Sequence, residues 1–226
     1  MPSPSAKRDI ELIIEHVGRG GGGEPPVRDG GDDGENSGGQ RREPQRPPYE
    51  RRYYTALIVA IVAILIFFMA LASAFIVRRG FGSDWVGIHV PAILWVNTAV
   101  LLASSATLEL ARQKLAAGDP GAFRRFWSVT TALGVAFLLG QFVAWRLLAA
   151  QGVYIATNPA SSFFFVFTGA HAVHLLGGVA VLLFVAMRDF AKSRLPRAVA
   201  AEVAGYYWHF MDALWVFLLA LLYIGK

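Results

Sequence analysis

"YYTALIVAIVAILIFFMALASAFIV", residues 53–77, runs for 25 positions without a charged side chain. A helix needs about 20 apolar residues to cross the hydrocarbon core of a bilayer, and this tract exceeds that length. Lipid offers no water to free N–H and C=O groups, so the backbone must close its own hydrogen bonds and becomes helix. The β-branched and aromatic residues of the tract suit a lipid-facing surface. The stretch decides the fold class: an all-α, polytopic membrane protein.

Four more tracts of this kind follow, at His89–Leu110, Phe126–Ala150, Ser162–Met187 and Ala204–Gly225. Breakers separate them: Gly80 and Gly82, then "GDPG" at 118–121, Asn158-Pro159 and Pro196. The reading is a bundle of five transmembrane helices over 53–226. Composition agrees, since 55% of the 226 residues are apolar and only 16% are charged. Cysteine is absent, which excludes disulfides and Cys-ligated metals.

Residues 1–52 form a separate, cytoplasmic segment of different material. Ten of the sixteen acidic residues lie in the first 50 positions, and "GRGGGGEPPVRDGGDDGENSGGQRREPQRPP" is rich in Gly, Pro and charge. Such a segment buries too little apolar area to offset its ordering entropy, and disorder is expected. No apolar h-region or small-residue cleavage site marks it as a signal peptide. One island, "RDIELIIEHV", places Ile10, Ile13, Ile14 and Val17 at helical spacing. It reads as a transient helix or as one that lies on the membrane or a partner.

The net charge of +5 does not indicate nucleic acid, because most basic residues beyond the tail sit in short loops. Arg112, Lys114, Arg124 and Arg125 flank the second loop; Arg188, Lys192, Arg194 and Arg197 flank the fourth. By parity the tail joins that side with nine more. The other side holds Arg78, Arg79 and Lys226, with Arg146 near the end of span three. This asymmetry predicts a cytoplasmic N-terminus and a C-terminus on the outer face.

Ionisable groups within spans are costly and serve as functional hypotheses. Here they are Glu109, Arg146, His171, His174, His209 and Asp212, with Gln141 as a buried amide. His171 and His174 share a helix face at i, i+3, as do His209 and Asp212. Gly169, Gly177 and Gly178 would let a neighbouring helix approach closely. A metal or haem site is disfavoured. An i, i+3 pair of histidines suits a di-metal bundle only with several Glu, and Glu109 is the only intramembrane Glu. The generic readings are interhelical hydrogen bonds or a proton relay. No Walker loop, nucleotide-binding glycine fingerprint, HExxH or Ser-His-Asp arrangement occurs.

Four separated motifs carry a resemblance: "LWVNTAVLLASSATLELA" (94–111), "GQFVAW" (140–145), "FVFTGAHAVHLLGG" (165–178) and "EVAGYYWHFMDALWVFLLALLYIG" (202–225). In this order the chain resembles subunit III of the haem-copper terminal oxidases, the cytochrome c oxidase subunit III family, over residues 53–226. Larger members have seven helices, so this chain resembles the short, five-helix bacterial form. Leu65 stands where the resemblance would place a carboxylate of the family's third helix, so that group's proton-related role does not carry over. The resemblance implies an accessory subunit of aerobic respiration with no cofactor of its own, with haem and copper in partner subunits. It would pack on subunit I, sit beside subunit II, hold membrane lipids and support proton uptake, in a bacterial plasma membrane. A subunit III-like component of a nitric oxide reductase or quinol oxidase shares these motifs. A stand-alone proton carrier would instead be expected to show repeats or broken helices. On this reading His171, His174, His209 and Asp212, with Glu109 and Gln141, form a polar seam between spans four and five.

Overall fold

A computed structural model describes residues 48–81, 85, 87, 91–188 and 196–225. Among them all regular structure is helical: α1 (Pro48–Phe81), α2 (Ile93–Ala116), α3 (Pro120–Ala150), α4 (Pro159–Met187) and α5 (Arg197–Ile224). Each is long and apolar enough to cross a membrane. The expected five-helix, all-α architecture is observed. The tail and its "RDIELIIEHV" island lie outside the described residues, as does His89.

Helices α2, α3, α4 and α5 close into a ring: α2 packs on α3 and α5, α3 on α4, and α4 on α5. The fifth, α1, lies outside that ring against α4 and α5. Its sequence explains the position. It buries one stripe, Ile64, Phe68, Ala72 and Phe75 at roughly helical intervals, while Ile58, Val59, Val62 and Ile66 stay exposed. A helix apolar all round gains little from burial when the surrounding solvent is lipid. Phe75 fixes its far end by edge contacts with Trp85, Phe163 and Phe167 at 5.2–5.8 Å. Trp85 in turn donates its indole N–H to the Gly225 carbonyl at 3.1 Å.

The helix ends correct several sequence boundaries. Asp119 is the N-cap of α3 and accepts from the Ala122 N–H at 2.9 Å, with Pro120 in the first turn. Asn158 caps α4 in a reciprocal box with Ser161, again followed by proline. Asp119-Pro120 and Asn158-Pro159, read as breakers, are therefore helix starts, and both helices begin earlier than Phe126 and Ser162. Helix α5 also begins earlier, at Arg197 instead of Ala204, with Pro196 as its N-cap. Helix α2 runs past Leu110 to Ala116, and α1 continues through Gly80. Gly118 and Gly152 adopt positive φ (74° and 76°). There the following N–H groups return to the last turns, Asp119 to Lys114 and Val153 to Leu148, at 3.0 Å each.

The interior of the ring is aromatic. Trp127, Trp208, Trp215, Phe137, Phe164 and Phe167 are all fully buried. Of the three α4 glycines expected to admit a neighbour, only Gly178 does so. A Cβ there would meet the Tyr207 ring at 3.1 Å and the Trp208 ring at 3.3 Å, whereas at Gly169 and Gly177 it would meet nothing. Those two lie on faces that none of the other described helices covers closely.

Candidate functional site

Polar groups enter this interior through a repeated device. A Ser or Thr hydroxyl donates to a carbonyl of its own helix and offers its lone pairs to an indole N–H from a neighbour. Trp215 donates to Thr98 at 2.9 Å, and Thr98 donates to the Leu94 carbonyl. Trp208 donates to Ser104 at 2.9 Å, and Ser104 donates to the Leu101 carbonyl. Trp145 donates to Thr168 at 3.0 Å, and Thr168 donates to the Phe164 carbonyl. Two of these links tie α5 to α2 and the third ties α3 to α4. Trp127 adds a direct bond to the Leu182 carbonyl at 2.8 Å, and Thr107 meets Thr130 at 2.8 Å. Each interhelical bond of this kind contributes about 0.6 kcal/mol, up to ~1.7.

His209 and Asp212 meet α2. The Ser105 hydroxyl donates to Asp212 Oδ2 and lies 2.7 Å from His209 Nδ1. Its single proton goes to the carboxylate, so His209 donates through Nδ1–H. His209 Nε2 then faces Glu109 Oε2 at 3.9 Å. Glu109 accepts from Arg112 at 2.9 Å, and the Arg112 guanidinium lies over the Tyr206 ring at 5.5 Å. The result is a polar string along the α2–α5 contact, from half-exposed Glu109 inward to buried Asp212. Beside its open end, Glu109, Arg112, Gln113, Ala198 and Glu202 line a cleft of about 290 Å³.

The other three candidates stand apart. His174 donates from Nδ1 to the Ala170 carbonyl of its own helix at 2.7 Å and lies against Phe67 and Phe68 of α1. His171 is fully buried in the ring, with Trp215 and Phe137 at 5.0 and 5.8 Å between ring centres. Gln141 is buried on α3. The structure thus brings together Glu109, His209 and Asp212, and does not bring His171, His174 or Gln141 into that string. Between α4 and α5 a direct polar link runs from the Tyr207 hydroxyl to the His174 carbonyl at 2.9 Å. Helical spacing shows which residues share a face but not which helix that face meets. Ser105, Ser104 and Thr98 do not stand out in the sequence, because isolated hydroxyls are common in membrane helices. The signal available was their rise along α2, matched by Trp208, Asp212 and Trp215 along α5.

Among the described residues no three His, Asp or Glu side chains form a group that could hold a metal. Fold and site together define a class: a polytopic helical membrane protein whose intramembrane polar groups bond its own helices to one another. The family model for cytochrome c oxidase subunit III matches residues 53–226. A cytochrome c oxidase subunit 3 of Corynebacterium diphtheriae is 38% identical over 149 residues, 64% of this chain and 72% of that protein. One from Thermostichus vulcanus is 32% identical over 166 residues, 68% of this chain and 78% of the relative. A probable cytochrome c oxidase subunit 3 of Nocardia farcinica is 35% identical over 130 residues, 57% of this chain. The matches to the Nocardia and Mycobacterium bovis relatives span 64% and 63% of those proteins' own lengths. The chain belongs to the cytochrome c oxidase subunit III family, the third subunit of the haem-copper oxidases.

Proposed function

We propose that the chain acts as the accessory, non-redox subunit III of a haem-copper terminal oxidase in aerobic respiration, with haem and copper in its partner subunits. It packs on subunit I beside subunit II, retains lipid, and supports assembly and proton uptake by subunit I. On this reading it sits in a bacterial plasma membrane with the N-terminus cytoplasmic and the C-terminus on the periplasmic or extracellular side. The similarity to cytochrome c oxidase subunits 3 of other bacteria favours cytochrome c as the complex's electron donor.

The observation that carries the reading is the string Glu109–His209–Ser105–Asp212. In it the Ser105 hydroxyl bonds both His209 and Asp212 across the α2–α5 contact and Arg112 holds Glu109, which is what a scaffold built to hold its shape in lipid requires. Leu65 is nearly half exposed and lines an apolar groove with Met69, Phe210 and Phe217, a surface suited to acyl chains.

Isolation of the tagged chain in mild detergent tests the proposal. Haem-bearing subunits are expected to co-purify, and the complex should oxidise reduced cytochrome c with consumption of oxygen. Recovery without any haem-bearing partner would overturn it. Oxidation of quinol alone, or reduction of nitric oxide, would move the chain to a sister complex.

A further inference from the structure

Each helix of the ring contributes one buried polar side chain with atoms that have no hydrogen-bond partner among the described residues. These are Asn97 Nδ2 on α2, both amide atoms of Gln141 on α3, both ring nitrogens of His171 on α4, and Asp212 Oδ1 on α5. The four residues are between 0% and 4% exposed. Lone orphans of this kind occur in native proteins, but four helices contributing one each to a shared interior is a different matter.

The bonds around them place them at neighbouring levels. Asn97 packs over Gly140, next to Gln141. Gln141 is one turn from Phe137, whose ring contacts both His171 and Trp215. Trp215 is bonded to Thr98, the neighbour of Asn97, and lies one turn beyond Asp212. Thr168, one turn before His171, holds the Trp145 indole, one turn beyond Gln141. The ring thus encloses two amides, an imidazole and a carboxylate oxygen, bounded by indoles already bonded elsewhere.

We propose that this layer is a binding site for internal water, which bridges Asn97, Gln141, His171 and Asp212 Oδ1. The chemistry fits. The Asn97 and Gln141 amide groups donate, Gln141 Oε1 and Asp212 Oδ1 accept, and neutral His171 has one donor and one acceptor nitrogen. Water supplies two of each and joins donors to donors or acceptors to acceptors, which no direct pairing of these side chains does. The polar string of α2 and α5 then continues past Asp212 into the ring instead of ending there.

The test is a density map of the intact native complex, at a resolution that shows ordered water, for the wild type and for Gln141→Met. The wild type is expected to show water within hydrogen-bonding distance of side chains from at least two of the four helices. Gln141→Met should lose at least one of these waters while the backbone stays in place. A dry interior, or Gln141 and His171 bonded directly to each other with no water between, would overturn the proposal. So would a water arrangement unchanged in Gln141→Met.

Discussion

The Ser105 hydroxyl of α2 donates to the Asp212 carboxylate of α5, and the same oxygen accepts from His209 one turn away on α5. One small side chain thus joins two ionisable groups where lipid would otherwise leave them without partners. Replacing it isolates the role of the contact. Ser105→Ala removes an acceptor from His209 and a donor from Asp212 with no steric change. The expected cost is about 1–3 kcal/mol, the penalty of leaving a buried polar group unsatisfied. Thermal dissociation of the chain from its complex, followed by native gel, should occur at lower temperature than in the wild type. An unchanged dissociation temperature would argue that the seam does not hold α2 to α5.

Trp208 gives a second check, through a glycine. A Cβ at Gly134 would come within 2.6 Å of the Trp208 ring. Gly134→Ala should therefore push the indole away from Ser104 and destabilise the ring by about 1–3 kcal/mol through overpacking. Gly169→Ala meets nothing within 4 Å and should be neutral or slightly stabilising, since alanine is the better helix former. Equal effects of the two substitutions on dissociation temperature would count against this placement of Trp208.

Trp215 combines two roles that one substitution separates. Trp215→Phe keeps an aromatic ring beside His171 and Phe137 but removes the N–H that reaches Thr98. The expected loss is about 1 kcal/mol. Trp215→Ala should lose about 3–5 kcal/mol, because it also opens a cavity. Detergent stability measured side by side on the two variants checks the ordering.

The proposed orientation is open to labelling, because the chain has no cysteine of its own. Ala117 follows α2, Ala156 lies between α3 and α4, and both are exposed. A membrane-impermeant maleimide added to spheroplasts should label Ala156→Cys and spare Ala117→Cys. The reverse pattern would invert the topology.

How much of this was legible in the sequence follows from the physics of lipid. The five spans could be read directly, because a charge-free tract such as 53–77 has no folded alternative to helix in a bilayer. Their ends were harder. Asp119-Pro120 and Asn158-Pro159 interrupt a hydropathy pattern, yet the same residues cap and start helices, so α3 and α4 extend further than apolarity alone suggests. The site was half legible. His209 and Asp212 stood out because charge in lipid is rare, and their shared face followed from i, i+3 spacing. That they meet Ser105 on α2 depends on how the ring closes, which periodicity within one helix does not encode. His174 shows the limit from the other side: its ring nitrogen bonds a carbonyl of its own helix, a local solution that needs no partner helix.

The most direct measurement compares Asp212→Ala with the wild type in the assembled complex, recording subunit retention and oxygen turnover on the same preparation. The account predicts that the chain leaves the complex more readily, while complexes that keep it turn over at close to the normal rate. Loss of turnover in complexes that remain fully assembled would contradict it, because the carboxylate would then serve the chemistry and not only the contact between helices.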